Sequence, residues 1–273
     1  MTDVNRDIKI TTLVENTVYG KGLQGEHGLS LLVDVAGHKV LFDTGASDLF
    51  IRNARQLGID LREVDCLVLS HGHRDHTGGL HHFLRLNDCA TVVCKREALC
   101  PKYKDERENG LMHPDDLDLV RFRFVGQTEE ILPGVFVFPQ LPVADEADTH
   151  FEHFYTLTDG QKRPDRFDDE LALVLKRDLD LAVLSACSHR GITNILRTVR
   201  EAFPEGVLKL VLGGFHIRTA GTGKYNVIAR YLSDNLPQRL GVCHCTGVDQ
   251  YALFHQSFAD RSFYCHTGWV ETF

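Results

Sequence analysis

The sequence predicts a mixed α/β fold of two β-rich halves with helices outside them. Three observations predict it. Short apolar runs of strand length, such as Cys66-Leu-Val-Leu69 and Leu208-Lys-Leu-Val-Leu212, are spread through both halves. Between them lie segments with helical spacing and end signals, such as 47–57 before Gly58. Finally, a strand-like run ending in small residues and a histidine, with helical sequence after it, recurs along the second half at His189, His216 and His244. Alternation of this kind is the pattern of layered α/β architectures.

The elements follow in order. Residues 8–15 read as a first strand and lead into a loop holding Gly20, Gly22 and Gly25. Residues 29–35 and 39–42 form a hairpin turning at Ala36-Gly37-His38, which delivers Asp43-Thr44-Gly45 to its end. After the helix over 47–57 come a buried strand over 66–69, a histidine-rich loop, a helix over 80–86 and a strand over 91–94. Residues 95–118 turn polar around Pro101, Asn109-Gly110 and Pro114, and read as an irregular flap: a substrate contact or a solvated surface. Strands over 120–125 and 135–138 precede a second irregular segment, 145–166, carrying His150, His153, Tyr155 and Lys162. Its two histidines stand as site residues or as solvated ones. Strands over 171–176, 181–184, 208–212 and 239–243, with helices over 192–203 and 222–232, complete a single domain spanning 1–273.

The composition narrows the function. The chain has 273 residues, of which 43% are hydrophobic and 25% charged, the profile of a globular protein that needs no disulfide staples. A net charge of −8 argues against a nonspecific nucleic-acid binder. No apolar run reaches membrane-spanning length, and Met1-Thr-Asp-Val-Asn-Arg-Asp7 lacks the apolar core of a secretion signal, so a cytoplasmic location is expected, without membrane contact. The oligomeric state is not encoded legibly. Eight cysteines in a reducing compartment read mostly as small buried hydrophobes, Cys66 and Cys243 above all. Cys89, Cys94 and Cys100 are loosely grouped but lack the CxxC spacing of a cluster site.

The chemistry concentrates after the 66–69 strand. There His71, His73, Asp75 and His76 fall within six residues, before Gly78-Gly79. Imidazole nitrogen and carboxylate oxygen both bind zinc- or iron-type ions, whereas a lone histidine is ordinarily a surface group. Four such side chains at this spacing can hardly point one way, so they suggest two adjacent metals.

His71-Gly-His73-Arg-Asp75-His76 resembles the HxHxDH motif of the metallo-β-lactamase superfamily, over about Leu13 to Gly268. Glu26-His-Gly-Leu-Ser30, Leu41-Phe-Asp-Thr-Gly45, Ala186-Cys-Ser-His-Arg-Gly-Ile192, Gly213-Gly-Phe-His216 and His244-Cys-Thr-Gly247 resemble a narrower group within it, the 7,8-dihydropterin-6-yl-methyl-4-(β-D-ribofuranosyl)aminobenzene 5'-phosphate synthases. The resemblance implies an αββα sandwich, two mixed sheets flanked by helices. It also implies two divalent metal ions, zinc first and iron or manganese as alternatives, on His71, His73, Asp75, His76, His189 and His244. Asp43 would support the metal loop without touching an ion. Asp75 would orient a metal-bound water, and His216 would donate a proton or contact an oxyanion, or else sit inert at a strand end. Arg190 and His27 are the substrate contacts, with solvated side chains as the plain alternative. The chain departs from the superfamily's usual Gly-Asp pair, which bridges the metals: Ala186-Cys187 stands there instead. Cys187 is therefore a thiolate ligand or a packing residue, and Glu170 a ligand or an exposed carboxylate.

The function so implied is a metal-dependent enzyme acting on a small phosphorylated or pyrophosphorylated metabolite, such as a dihydropterin-transferring synthase. Its alternatives are hydrolysis of a phosphodiester, lactone or thioester, and, in a different class, a non-catalytic iron or cysteine redox sensor.

Overall fold

The strand ahead of the histidine loop, Cys66–Val68, is buried along its whole length. It belongs to a computed structural model that describes residues 7–273, so the leader-sequence reading of Met1 to Arg6 lies outside the described residues. The chain divides into two compact units. The first comprises the chain up to Gly126 together with Glu152–Asp169 and His266–Phe273, and the second comprises Gln127–Phe151 and Glu170–Cys265.

In the first unit a seven-stranded sheet runs in the order Val270–Thr272, Lys9–Val14, Ser30–Val35, His38–Phe42, Cys66–Val68, Thr91–Cys94 and Phe122–Phe124. The first three pairings are antiparallel and the last three parallel. The parallel strands release Asp43 and the histidine loop from their carboxyl ends, the edge where open α/β sheets carry their sites. The hairpin at Ala36-Gly37 is tighter than the expected three-residue turn. Both residues have positive φ (50° and 83°), and His38 already pairs with Val35. That geometry matches the twist of the flanking strands. The helices Leu49–Gln56 and Leu80–Leu86 bury Phe50, Ala54, Leu80 and Phe83 in a core with Leu41, Leu67 and Val92.

The two segments expected to be irregular pair with each other instead. Gln161–Pro164, Phe154–Thr158, Lys102–Lys104 and Arg107–Glu108 form a four-stranded antiparallel sheet in that order. Asp159-Gly160 closes the hairpin between Phe154–Thr158 and the edge strand Gln161–Pro164 with both residues at positive φ (52° and 72°), and the aromatic and β-branched run Phe154-Tyr-Thr supplies the inner strand.

The second unit holds another seven-stranded mixed sheet. Its order is Ser262–Tyr264, Arg239–Val242, Val207–Gly213, Asp180–Ser185, Ala172–Arg177, Val135–Phe138 and Glu129–Leu132. The first three pairings are parallel and the rest antiparallel. Helices Ile192–Ala202, Thr222–Asp234 and Val248–Phe258 follow successive parallel strands, and their apolar faces join Val183, Val211 and Val242 in one core. The loops between parallel strand and helix carry His189, His216 and His244. Among the described residues, no helix is long and apolar enough to cross a membrane.

Candidate functional site

In the first unit the histidine loop gathers three imidazoles. The ring centroid of His71 lies 4.7 Å from that of His73 and 4.3 Å from that of His76, and all three side chains are buried. His73 packs against Phe154 at 5.0 Å and Phe167 at 5.2 Å, so the four-stranded sheet and the segment after it wall this loop. Burial keeps two of these rings uncharged: the pKa of His71 falls well below its usual value, and that of His73 is pushed down to about 3. Asp75 is nearer solvent. Its Oδ2 stands 3.3 Å from His27 Nε2 and 3.8 Å from His76 Nε2.

The loop's own supports are buried too. Asp43, with φ at 62°, turns a fully buried carboxylate onto the loop. Its Oδ1 accepts the Ser70 amide at 2.7 Å, and its Oδ2 accepts the Ser70 hydroxyl at 2.6 Å and pairs with His76 Nδ1 at 2.7 Å. Ser70 Oγ lies 2.8 Å from His71 Nδ1 as well. Glu26 holds the neighbouring turn, accepting the amides of Ala46 and Ser47 and the Ser47 hydroxyl. From the far side, Asp169 accepts the Gly72 amide at 2.7 Å. Asp169 and Asp165 each lie 2.9 Å from Lys102 Nζ, forming an ion triad with almost no solvent contact. The paired carboxylates raise the Lys102 pKa despite its burial.

In the second unit Cys187 is the common member of two ligand groups. Its sulfur lies within 4.8 Å of donor atoms of His189 and His216, and likewise of His244 and Cys245. The rings of His189 and His216 have centroids 4.3 Å apart. Ser188, His216 and His244 all adopt left-handed φ (52°, 49° and 51°), a strained backbone that clusters at sites because it turns the chain sharply. Glycine is required between them: a Cβ on Gly214 would stand 2.5 Å from both the Ala186 carbonyl and the Cys245 sulfur. Buried hydroxyls tie the loops together, with Ser188 donating to the Gly214 carbonyl at 2.8 Å and Phe215 donating its amide to Thr246 at 2.9 Å.

The remaining expectations divide. Glu170 is not an exposed carboxylate. It is buried, as is Asp169 beside it, and it accepts the amides of His189 at 2.7 Å and Arg190 at 2.8 Å. Acidic runs are usually solvated, but these two residues end up beneath loops whose amides need acceptors. Arg190 donates Nε to the Leu141 carbonyl at 2.6 Å. His153 is exposed and faces Asp105 at 3.0 Å. His150 does join a cluster: its ring centroid is 4.2 Å from that of His216, and its carbonyl is 3.2 Å from His189 Nδ1. Sequence reasoning assigned no part to Lys102, Asp165, Asp169 or Cys245. Their spacing along the chain carries no signal, because each acts through a partner distant in sequence. Among the described residues, no group of three candidate metal ligands includes Cys89, Cys94 or Cys100.

Comparison with known proteins follows the same lines. Residues 23–163 match the family model of the metallo-beta-lactamase superfamily. A solved structure described as a metal-dependent hydrolase of the beta-lactamase superfamily is similar with a TM-score of 0.85 and 34% identity, covering 97% of this chain and 98% of its own. It shows the fold that the motif resemblance implied. A curated relative from Methanocaldococcus jannaschii, 7,8-dihydropterin-6-methyl-4-(beta-D-ribofuranosyl)-aminobenzene-5'-phosphate synthase, is 26% identical over 98% of this chain and 97% of its own. A second protein of that archaeon, described as uncharacterized, is 29% identical over 95% of this chain and 98% of its own.

Proposed function

The chain belongs to the metallo-beta-lactamase superfamily, and from that premise we propose that it is a metal-dependent enzyme acting on a small phosphorylated or pyrophosphorylated metabolite. His71, His73, Asp75, His76, His189 and His244 are the proposed ligands of two divalent ions, zinc first, with iron or manganese as alternatives. The observation that carries this reading is the set of buried, uncharged imidazoles at His71 and His73. A metal takes the unprotonated nitrogen, and these rings are in that form at neutral pH. The supports fit as well, because a carboxylate on the far nitrogen of His76 fixes the ring orientation that a ligand needs.

Divalent ions bound there would polarise a phosphoryl oxygen and bring the pKa of a bound water to about neutrality. The chain's own groups do the rest. Asp43 and Ser70 hold the far nitrogens of His76 and His71, and Glu170 accepts the successive backbone amides of His189 and Arg190. Asp75 orients the attacking water, and His27, 3.3 Å from it, is a substrate contact. Arg190 is proposed as the second substrate contact and His216 as the proton donor to the leaving group.

The relative named as a dihydropterin-linked synthase favours group transfer, in which the new bond to a ribofuranosylaminobenzene phosphate forms as the C–O bond of a dihydropterin pyrophosphate breaks and pyrophosphate leaves. The relative named as a metal-dependent hydrolase favours hydrolysis of a phosphodiester, lactone or thioester. Elemental analysis of anaerobically purified protein, followed by a transfer assay and a phosphoester and lactone panel, separates them. We expect bound zinc, turnover in one of the two assays, and loss of both metal and turnover in His73→Ala. Full turnover after complete metal removal would overturn the reading, and visible-absorbing iron with no turnover would favour a redox sensor.

A further inference from the structure

The four-stranded sheet takes hold of the metal loop by two routes, and both pass through Lys102. Along the main chain, the Arg74 amide donates to the Asn109 carbonyl at 2.8 Å, and the Asn109 amide donates to the Lys102 carbonyl at 2.8 Å. His73 and Gly110 form an antiparallel bridge beside these bonds. Through side chains, Lys102 Nζ lies 2.9 Å from Asp169 Oδ1, and Asp169 Oδ2 accepts the Gly72 amide at 2.7 Å. The backbone is thus gripped on either side of His73, at residues 72 and 74.

Stability alone gives this arrangement no reason. Lys102 is 3% exposed and Asp169 is fully buried. Desolvating such charges costs about as much as their attraction returns, and packed apolar side chains often serve a core as well or better. What the ion pair adds is direction. One Asp169 oxygen sits on the cation and the other on the loop, so the cation sets where the Gly72 amide must lie. Gly72 has little room to lie elsewhere, since a Cβ on it would stand 2.3 Å from the Ala98 carbonyl oxygen. Asp165 shares the same cation but spends its other oxygen on the Phe167 amide, at 2.8 Å.

We propose that Asp169 is a positioning residue for the bound metal: through the Gly72 amide it sets the backbone on which His71 and His73 stand, and Lys102 aims it. The proposal rests on the reading of His71 and His73 as metal ligands. Asp43 and Ser70 orient rings, at His76 and His71, whereas Asp169 fixes the main chain between two ligands. Ligands must stay within about 0.5 Å of their working geometry, so a loop that carries several needs both kinds of support.

The test compares two acids that share Lys102 and differ in reaching the loop. Asp169→Ala leaves the Gly72 amide without its acceptor, whereas Asp165→Asn removes a charge from the triad and keeps an oxygen for the Phe167 amide. Both should lower the melting temperature of the stripped protein. Zinc affinity, read by competition with a chelator, should fall about 10- to 100-fold in Asp169→Ala and stay within about twofold of wild type in Asp165→Asn. The visible bands of bound cobalt(II), which report donor geometry, should shift in Asp169→Ala alone. Asp169→Asn should recover most of the lost affinity, because its carboxamide oxygen keeps the Gly72 amide while Lys102 retains Asp165. Equal zinc affinity in Asp169→Ala and Asp165→Asn would overturn the proposal. Hydrogen exchange in the stripped wild type covers both a variant that fails to fold and a protein that binds no metal. The Gly72 amide should exchange as slowly as the amides that pair Lys102–Lys104 with Phe154–Thr158. Fast exchange at Gly72 with that pairing intact would refute the anchor. Protection of Gly72 in a protein that binds no metal would count against the metal reading and for the anchor.

Discussion

Replacing Asp43 by Asn changes one oxygen for an amide and should separate support of the metal loop from simple backbone packing. The Asp43 carboxylate accepts from His76 Nδ1 at 2.7 Å, and the neutral tautomer held in this way is the one that offers Nε2 to a metal. In Asp43→Asn the new amide oxygen can keep the Ser70 amide, and the Ser70 hydroxyl can rotate to accept from the new NH₂. His76 cannot adapt so cheaply, since its Nδ1–H would face a donor. The ring must shift or move its proton to Nε2, and either change spoils it as a ligand. Metal affinity should fall about 10- to 100-fold, which is roughly 1.4–2.7 kcal/mol. The lost charged hydrogen bond costs about 1.5–3 kcal/mol of folding stability, a fall of roughly 3–12 °C in melting temperature for a chain of this size. Competition with a chelator of known affinity measures the first quantity, and melting of the stripped protein measures the second. Ser30→Ala is the control, because the Ser30 hydroxyl donates to the Asp43 backbone carbonyl at 2.8 Å and leaves the carboxylate untouched. It should lower stability alone. If Asp43→Asn behaves like Ser30→Ala, with wild-type metal affinity, the carboxylate is not a support for the ligand.

Three further outcomes are expected. In the stripped protein His73 titrates near 3 when folded and near 6.5 when unfolded, so the unfolded chain binds more protons between those values. Stability is therefore complete above pH 6.5 and falls as pH drops toward 3, by about 1.4 kcal/mol per pH unit for each such ring. Urea midpoints at pH 7.5 and pH 5 read this directly, and His73→Gln should flatten the slope; a midpoint unchanged in the wild type would refute it. Lys102→Met leaves the Asp165 and Asp169 carboxylates buried without their cation, at a cost of about 3–5 kcal/mol that urea unfolding should show. Adding Asp165→Asn should recover part of it. Finally, His189→Ala should lose metal while Cys187→Ser keeps it, as measured by metal content; the reverse pattern would move the ligand to Cys187.

How much of this was legible depends on how far each residue reaches along the chain. The helix 80–86 and the strands 91–94 and 135–138 occupy the predicted bounds, because apolar periodicity and end signals are local. The ligand loop was legible for the same reason: His71, His73, Asp75 and His76 are neighbours in sequence, and their chemical type is unusual at that density. The Asp159-Gly160 hairpin was also within reach, because Asp-Gly favours a tight hairpin turn even in polar surroundings. Pairings at long range were not legible. Asp43 meets His76 across 33 residues, Asp169 meets Gly72 across 97, and Lys102 meets Asp165 across 63. Nothing at one end of such a pair marks the other, since a buried acid and a surface acid are spelled alike. Only the tertiary structure decided that Glu170 lies beneath the amides of His189 and Arg190, and that His150 packs against His216 while His153 stays in solvent. The physical reason is common to all of them. Local sequence sets backbone preference and the supply of chemical groups, whereas burial and partner choice arise when distant strands bring unsatisfied donors and acceptors into one solvent-free space.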